Sequence, residues 1–175
     1  MTAVGERNDF GLTAWDRYRI LTTYRTIAMV GLSSNFYNAS SFAGVYLDAN
    51  GYDVVPVNPV AAAAGQEILG HRVYRDLHQA AAEHPRPIEI VDVFRPAHET
   101  PEIARQAIEI GARVLWLQLG VINEEAAELA RQAGLEVVMD RCCKIEHARF
   151  FGGLRTIGLN TGIVTSRLAM RLPEG

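Results

Sequence analysis

Residues 26–47, TIAMVGLSSNFYNASSFAGVYL, decide the fold of this chain. They begin with an apolar run over residues 27–30, break at Gly31, and return to a periodic apolar pattern from about Phe42. This order predicts a strand, a tight loop of small residues and a helix. Because glycine has no Cβ, the backbone can turn sharply at Gly31.

A loop of this kind brings its backbone N–H groups and the N-terminus of the next helix to one spot. Several N–H donors and the positive end of a helix dipole together favour an anion. The stretch therefore predicts a phosphate site. An ordinary strand-to-helix turn, with Ser and Asn as capping residues, is the alternative that the loop alone leaves open.

The composition predicts one soluble globular domain. The 175 residues are 49% hydrophobic and 21% charged, which is typical of such domains. The net charge of -3 gives no electrostatic case for binding nucleic acid. No apolar run approaches the roughly 20 residues of a membrane helix, and no secretory signal is visible. The adjacent Cys142 and Cys143 favour a reducing compartment, so we expect a cytoplasmic protein.

Strand and helix patterns alternate along the chain, which predicts an α/β fold. We expect a Rossmann-like, doubly wound, mainly parallel five-stranded sheet with helices on both faces. Pro56 indicates either an edge strand or the end of strand pairing at that point. The predicted strands are residues 26–30, 53–57, 88–94, 113–118 and 135–139; the predicted helices are 12–24, 40–49, 76–83, 100–110 and 124–133, with 60–69 left as a loop or a weak helix.

Polar or conformationally special residues follow each predicted strand. In doubly wound sheets, ligands bind beyond the carboxyl ends of the strands, at the switch in strand order. The five positions are Gly31-Leu32-Ser33-Ser34, Asn58-Pro59, Phe94-Arg95-Pro96, Gln118-Leu119-Gly120 and Asp140-Arg141-Cys142. Their convergence predicts one ligand site at that edge.

The usual dinucleotide signatures are missing from this site. Gly31 is not followed by a G-x-G-x-x-G pattern, and Asn58 stands where an acidic residue would bind a ribose hydroxyl. No Gly-Lys-Ser/Thr phosphate loop is present either. These absences favour a nucleotide ligand bound in another way, and an oxidoreductase with an atypical NAD(P) mode remains the alternative function.

Blocks of sequence along most of the chain resemble the small stand-alone CoA-binding proteins, relatives of the CoA-binding domain of the succinyl-CoA synthetase α subunit. The resemblance spans residues 24–148 and implies a CoA-binding Rossmann-like domain over residues 25–148. A tail and helix (1–24) would precede it, and an extension (149–175) would pack on the same domain. The blocks are AMVGLSSN (28–35), VVPVNP (54–59), IVDVFRP (90–96), VLWLQLGVINEEAAELARQAGLEVVMDRC (114–142) and KIEH (144–147).

The resemblance implies coenzyme A or acyl-CoA as the ligand, with no evident catalytic activity. The implied contacts are Gly31, Ser33 and Ser34 around the pyrophosphate, Val57, Asn58 and Pro59 beside the adenosine, Phe94 and Arg95 over the ligand, and Gln118 and Gly120 along the pantetheine. Asn35, Asn38, Ser40 and Arg141 are further expected ligand contacts, with no part of the ligand assigned to them. Other roles remain open. Val57 and Phe94 suit a core, Arg95 suits an ion pair, and Gln118 suits hydrogen bonding to loop backbone.

The first loop departs from the family pattern. Family members commonly continue as Asn-Pro-x-Arg-Pro-Ser, whereas residues 35–40 of this chain are Asn-Phe-Tyr-Asn-Ala-Ser. Asn38 can donate a hydrogen bond but carries no charge. If a cation holds a phosphate here, it must come from elsewhere, and the candidates are Arg141, Lys144, Arg72 and Arg75.

The sequence assigns no catalytic or metal-binding residue. Cys142, with Glu146 and His147 nearby, could be drawn as a thiol nucleophile with its helpers. However, residues 144–147 are predicted to begin a helix whose charges face solvent or pair with one another. Besides a CoA ligand, we expect at most a homodimer or an enzyme partner. The apolar tail at 150–168 could cover the sheet edge, line the ligand groove or form a homodimer contact.

Overall fold

A computed structural model describes residues 12–152 of the protein. The elements in chain order are α1 (Ala14–Thr23), β1 (Thr26–Val30), α2 (Ala39–Ala49), β2 (Asp53–Val57), α3 (Pro59–Ala63), β3 (Glu67–Ile68), β4 (His71–Arg72), α4 (Leu77–Glu83), β5 (Ile90–Val93), a 3₁₀ turn (Ala97–Glu99), α5 (Thr100–Glu109), β6 (Val114–Leu117), α6 (Glu124–Gln132), β7 (Glu136–Val138) and α7 (Cys143–Phe151).

The main sheet has five parallel strands in the order β2-β1-β5-β6-β7. This confirms the predicted Rossmann-like sheet. Strand β1 lies between β2 and β5, with Ala28 opposite Val55 on one side and Val91 on the other. Short apolar runs separated by helices build such a sheet because each parallel connection must cross over one of its faces.

Helices cover both faces of the sheet, as alternation along each strand requires. In β1, Ile27 and Met29 pack with α1, α2 and α7, whereas Ala28 packs on the opposite face with α4, α5 and α6. Strand β5 alternates in the same way, with Ile90 on the first face and Val91 on the second. Both layers are therefore closed by apolar contacts.

Strand boundaries were predicted correctly for β1 and β2 and too widely for β5, β6 and β7. The runs at 26–30 and 53–57 match β1 and β2, but the run at 88–94 yields only Ile90–Val93 as strand β5. The uncertain stretch at 60–69 contains helix α3 and the first strand of an antiparallel hairpin, β3–β4. Leu69 and Gly70, both with positive φ, form its two-residue turn.

Strand β2 is an edge of the five-stranded sheet, one of the two possibilities that Pro56 indicated. Tyr74 lies against the outer side of this strand. Its N–H donates to Pro56 O (2.9 Å), and its carbonyl accepts from Asn58 N (2.9 Å). Pro56 therefore directs its backbone polar groups away from β1, and its missing N–H removes no bond from the β1–β2 ladder.

Helix α7 is fixed to α1 by a buried ion pair. Arg17 Nε donates to Glu146 Oε2 at 2.9 Å, and both side chains are fully buried. Arg149 Nη1 also donates to this carboxylate, at 3.0 Å. The prediction that residues 144–147 begin a helix is confirmed. The expectation that its charges face solvent or pair with one another holds in part: Glu146 pairs with Arg149 of the same helix, but it is buried and also pairs with Arg17 of α1.

Candidate functional site

The loop after β1 lies at the switch in strand order. From β1 the chain passes through α2 to β2, at one side of the sheet. From β5 it passes through α5 to β6, at the other side, and α2 and α5 pack on opposite faces. The two connections diverge at this point, which leaves a crevice between them.

Gly31 sits where the ends of β1 and β5 meet, and only glycine fits there. Its φ is +88°, and its N–H donates to Val57 O at 2.8 Å. A Cβ at this position would lie 2.9 Å from Phe94 O and 2.9 Å from Arg95 Cδ. Gly31 thus ties β1 to β2 and allows the chain after β5 to approach closely.

Hydrogen bonds between residues close in sequence fold the loop between β1 and α2 back on itself. Ser33 N donates to Ser40 Oγ at 3.2 Å, and Ser33 Oγ accepts from Asn38 Nδ2 at 2.7 Å. Ser41 Oγ lies at hydrogen-bond distance from two carbonyls, Ser33 O (2.6 Å) and Asn35 O (2.8 Å). The Ser-Asn composition therefore fixes the loop without proline.

The N-terminus of α2 opens towards this loop. Asn38 is its N-cap residue, but the Asn38 side chain makes no capping hydrogen bond, since its amide is directed to Ser33. The first N–H groups of a helix have no partner within the helix. Ala39 and Ser40 therefore present backbone donors at the positive end of the helix dipole.

A cavity of about 410 Å³ lies at the switch point. Its lining includes seven predicted site residues together with Ala39, which the sequence did not single out. The residues are Gly31, Ser33, Asn38, Ala39, Ser40, Asn58, Phe94 and Arg95. Among these described residues Arg95 is the one charged side chain. Two predicted loop contacts, Ser34 and Asn35, are exposed and are not part of this lining.

Arg95 is already engaged by a carboxylate. Its Nε donates to Glu99 Oε2 at 2.8 Å and its Nη2 donates to Glu99 Oε1 at 2.9 Å. These hydrogen bonds hold the pKa of Glu99 below its usual range. His98 Nε2 is 3.9 Å from the same carboxylate. The ion pair that the sequence left open for Arg95 is therefore present.

Asn58 connects the loop to helix α3. Its Oδ1 accepts from Val60 N and Ala61 N, both at 3.1 Å, and its Nδ2 donates to Leu32 O at 3.0 Å. Asn-Pro is a common helix start, with Asn as the cap and Pro in the first turn. Val57 is buried in the core, so it contributes backbone rather than a side chain to this region.

A second cavity, of about 630 Å³, adjoins Pro59. It lies between α3, the β3–β4 hairpin and α4, and its lining includes Arg72 and Arg75. Arg72 pairs with Glu83, and Arg75 Nε donates to Asp76 Oδ2 at 2.8 Å. Neither arginine lines the switch-point cavity, so neither replaces the missing loop arginine there.

Gln118 is buried against an acid that sequence reasoning missed. Gln118 Nε2 donates to Asp92 Oδ1 at 2.6 Å, in the centre of the sheet. Asp92 is fully buried, and its Oδ2 has no hydrogen-bond partner among the described residues. Burial raises the pKa of Asp92 to about 7, although the bond from Gln118 opposes that shift. The sequence feature that could have revealed Asp92 is a single charged residue within the apolar run of β5.

Gly120 and Arg141 form a separate group beyond β6 and β7. Gly120 N donates to Asp140 Oδ1 at 2.7 Å, and Trp116 Nε1 donates to Arg141 O at 2.7 Å. Neither residue lines the switch-point cavity. The predicted site residues thus form one cluster at β1, β2 and β5, and a second group farther along the same sheet edge. Lys144, the last candidate cation, lies over the Phe42 ring.

The thiols do not form the catalytic arrangement drawn from the sequence. Burial raises the pKa of Cys142, and it raises that of the fully buried Cys143 well above its usual value. His147 Nδ1 lies 3.1 Å from Tyr46 OH, and Glu146 pairs with Arg17. Neither His147 nor Glu146 is therefore placed to activate a thiol.

Two further features are absent from residues 12–152. No helix in this part of the chain is long and apolar enough to cross a membrane. No group of three or more His, Cys, Asp or Glu residues there could hold a metal ion. The apolar tail predicted at 150–168 lies almost wholly outside the described residues.

The sheet order and the loop at its switch point define a Rossmann-like α/β protein. Residues 25–148 match the family model described as CoA binding domain, and the chain belongs to that family. An uncharacterized protein, YneT of Bacillus subtilis (strain 168), is 36% identical over 129 residues, which are 74% of this chain and 90% of that protein.

Solved structures agree with this assignment. A hypothetical protein from Pyrococcus horikoshii OT3 has 39% sequence identity and a TM-score of 0.76, over 85% of this chain and 99% of that chain. A Thermus thermophilus protein has 29% identity and a TM-score of 0.73, over 80% and 100%. The family resemblance seen in the sequence is therefore confirmed.

Proposed function

We propose that this protein binds coenzyme A, free or as an acyl thioester, through the switch-point cavity. The observation that carries the proposal is the N-terminus of α2. Its first N–H groups are left uncapped by Asn38, and the residues that carry them, Ala39 and Ser40, line the same cavity as Arg95. Backbone donors at a helix N-terminus and a guanidinium are the groups that bind phosphate oxygens in proteins.

The lining offers a pyrophosphate hydrogen-bond donors. Gly31 lines the cavity, and its missing side chain lets Phe94 O and Arg95 approach the end of β1, which brings Arg95 to the cavity. Ser33, Asn38 and Ser40 add hydroxyl and amide groups, and no carboxylate is among the lining residues. In this arrangement the pyrophosphate accepts hydrogen bonds from the loop and from the first turn of α2.

The two ends of the ligand then extend in opposite directions along the strand ends. The larger cavity beside Pro59 is the nearest space for the adenosine, because Pro59 directly follows Asn58 of the switch-point lining. The pantetheine would pass towards Gly120, which is exposed beyond β6. We expect binding without a chemical step, since the raised pKa of Cys142 disfavours a thiolate.

Calorimetry with CoA, acetyl-CoA, NAD, NADP and ATP tests the proposal, supported by thermal unfolding. A ligand at 100 times its Kd stabilises a fold by about 2.7 kcal/mol, which thermal unfolding detects readily. Ser33→Ala should weaken CoA binding, because Ser33 lines the cavity. Ser34→Ala is the matched control, since Ser34 is exposed outside that lining. Binding of NAD or NADP without CoA would overturn the proposal.

A further inference from the structure

The switch-point cavity has little net positive charge, in spite of its arginine. Arg95 is the one charged residue among the described residues that line it. Its Nε and Nη2 both donate hydrogen bonds to the Glu99 carboxylate. The Glu99 carboxylate occupies one two-donor edge of the guanidinium, formed by Nε and Nη2, and its negative charge offsets the charge of Arg95. A phosphate that makes a two-point contact with this edge must displace Glu99.

We propose that Glu99 is an internal competitor that lowers the affinity of this cavity for phosphoester ligands. The inference rests on the proposed function and adds to it a residue that sets affinity. In the free protein, Glu99 satisfies Arg95. On binding, a ligand phosphate replaces the carboxylate, and Glu99 returns to solvent, to which about a third (34%) of its side chain is already exposed.

The position of Glu99 makes this exchange possible without a change of fold. Glu99 ends the 3₁₀ turn and precedes α5, where its side chain makes no capping hydrogen bond. Its partner Arg95 is 46% exposed and lies on the loop just beyond β5. Exposed pairs of this kind have small free energies, so a phosphate with higher charge can break the pair.

Calorimetry of CoA binding to Glu99→Gln is the direct test. The substitution keeps the side-chain length and removes the competing charge, so we expect roughly two- to five-fold tighter binding at low salt. The gain should shrink in 0.5 M salt, because it comes from an unscreened cation. An unchanged melting temperature would show that α5 remains intact.

Two controls separate local competition from a general effect of charge. Glu102→Gln removes the same charge three residues further along, in the first turn of α5, but Glu102 pairs with Arg105 (3.2 Å) rather than with Arg95. It should leave CoA affinity nearly unchanged. Combining Glu99→Gln with Arg95→Gln should abolish the gain, since no guanidinium is then released.

Each outcome decides the proposal. Equal gains from Glu99→Gln and Glu102→Gln would overturn it, as would a gain that persists without Arg95. If the wild-type protein binds CoA and the Glu99→Gln variant binds it no more tightly, the proposal that Glu99 competes is wrong and the proposed function stands. If neither protein binds CoA, both proposals are wrong.

Discussion

Gly31 and Arg95 meet so closely that a Cβ on the glycine would lie 2.9 Å from Arg95 Cδ. The contact places Arg95 over the turn that ends β1. The backbone at the end of β1 therefore positions the charged residue that follows β5. Any side chain at position 31 would move Arg95 and the carbonyl of Phe94 together.

Gly31→Ala should therefore lower the free energy of unfolding by more than the strain of a positive φ alone would. Gly51 provides the matched control, because it has a similar φ of +82° and nothing within 4 Å of its Cβ position. We expect Gly51→Ala to lower the free energy of unfolding by about 1–2 kcal/mol. Gly31→Ala should lower it further and weaken CoA binding. Equal destabilisation by the two variants, with CoA affinity intact, would contradict this explanation.

Asn38→Arg should increase the affinity for CoA. Asn38 lines the cavity at the N-terminus of α2 and carries no charge. A guanidinium there would add a charge-assisted hydrogen bond, which we expect to tighten binding roughly three- to ten-fold in low salt. Asn35→Arg adds the same charge outside the lining and should have a smaller effect. Calorimetry at two salt concentrations checks both variants, and an equal gain from Asn35→Arg would point to non-specific attraction.

Asp92 should make the stability of the protein depend on pH. Its pKa rises on folding from the ordinary 3.8 to about 7, because burial disfavours the charged form. The folded state thus holds a proton that the unfolded state has lost, and the contribution to stability falls as pH rises from about 4 to about 7. Chemical denaturation at pH 5 and pH 8 measures this fall.

Asp92→Asn should remove that part of the pH dependence and stabilise the protein at pH 8. The amide oxygen of the introduced asparagine can still accept from Gln118 Nε2. Glu67→Gln, at an exposed position of the β3–β4 hairpin, is the control and should leave the pH dependence unchanged. If the stability of the Asp92→Asn variant still falls between pH 5 and pH 8, another group is responsible.

Glu146→Gln should be strongly destabilising. The substitution leaves the buried Arg17 without its carboxylate, and breaking such a pair costs about 3–5 kcal/mol. Glu136→Gln is the control, because it removes the partner of the half-exposed Arg19. It should cost less than about 1 kcal/mol. Urea denaturation of both variants gives the comparison, and similar losses would mean that Arg17 finds other partners.

The sequence predicted what local residues determine and missed what only the folded chain brings together. Strand β1 and its loop were predictable because an apolar run, Gly31 and small polar residues are consecutive. The run at 88–94 overestimated β5, since hydrophobicity reports burial rather than strand pairing: Ile88 is buried although it precedes the strand.

The partners of the site residues depend on distances across the fold. Asn58 lines the switch-point cavity, and its amide also joins Leu32 O to helix α3, a contact between distant parts of the chain that the sequence did not reveal. Asp92 was missed because a single acid did not interrupt the apolar pattern of β5. In the sequence, Arg95 and Glu99 are four residues apart. That spacing predicts an ion pair only where the chain is helical, so it was a weak indication of this contact.

The Tyr74 segment on the outer side of β2 also limits how this protein can associate with itself. An exposed strand edge is a template on which another chain can add a strand, and such pairing leads to oligomers or aggregates. At β2 the outward carbonyl of Pro56 is already occupied by Tyr74, and proline offers no N–H there. Strand addition is therefore blocked at the C-terminal end of β2, and the opposite edge of the described sheet, β7, is only three residues long, Glu136–Val138.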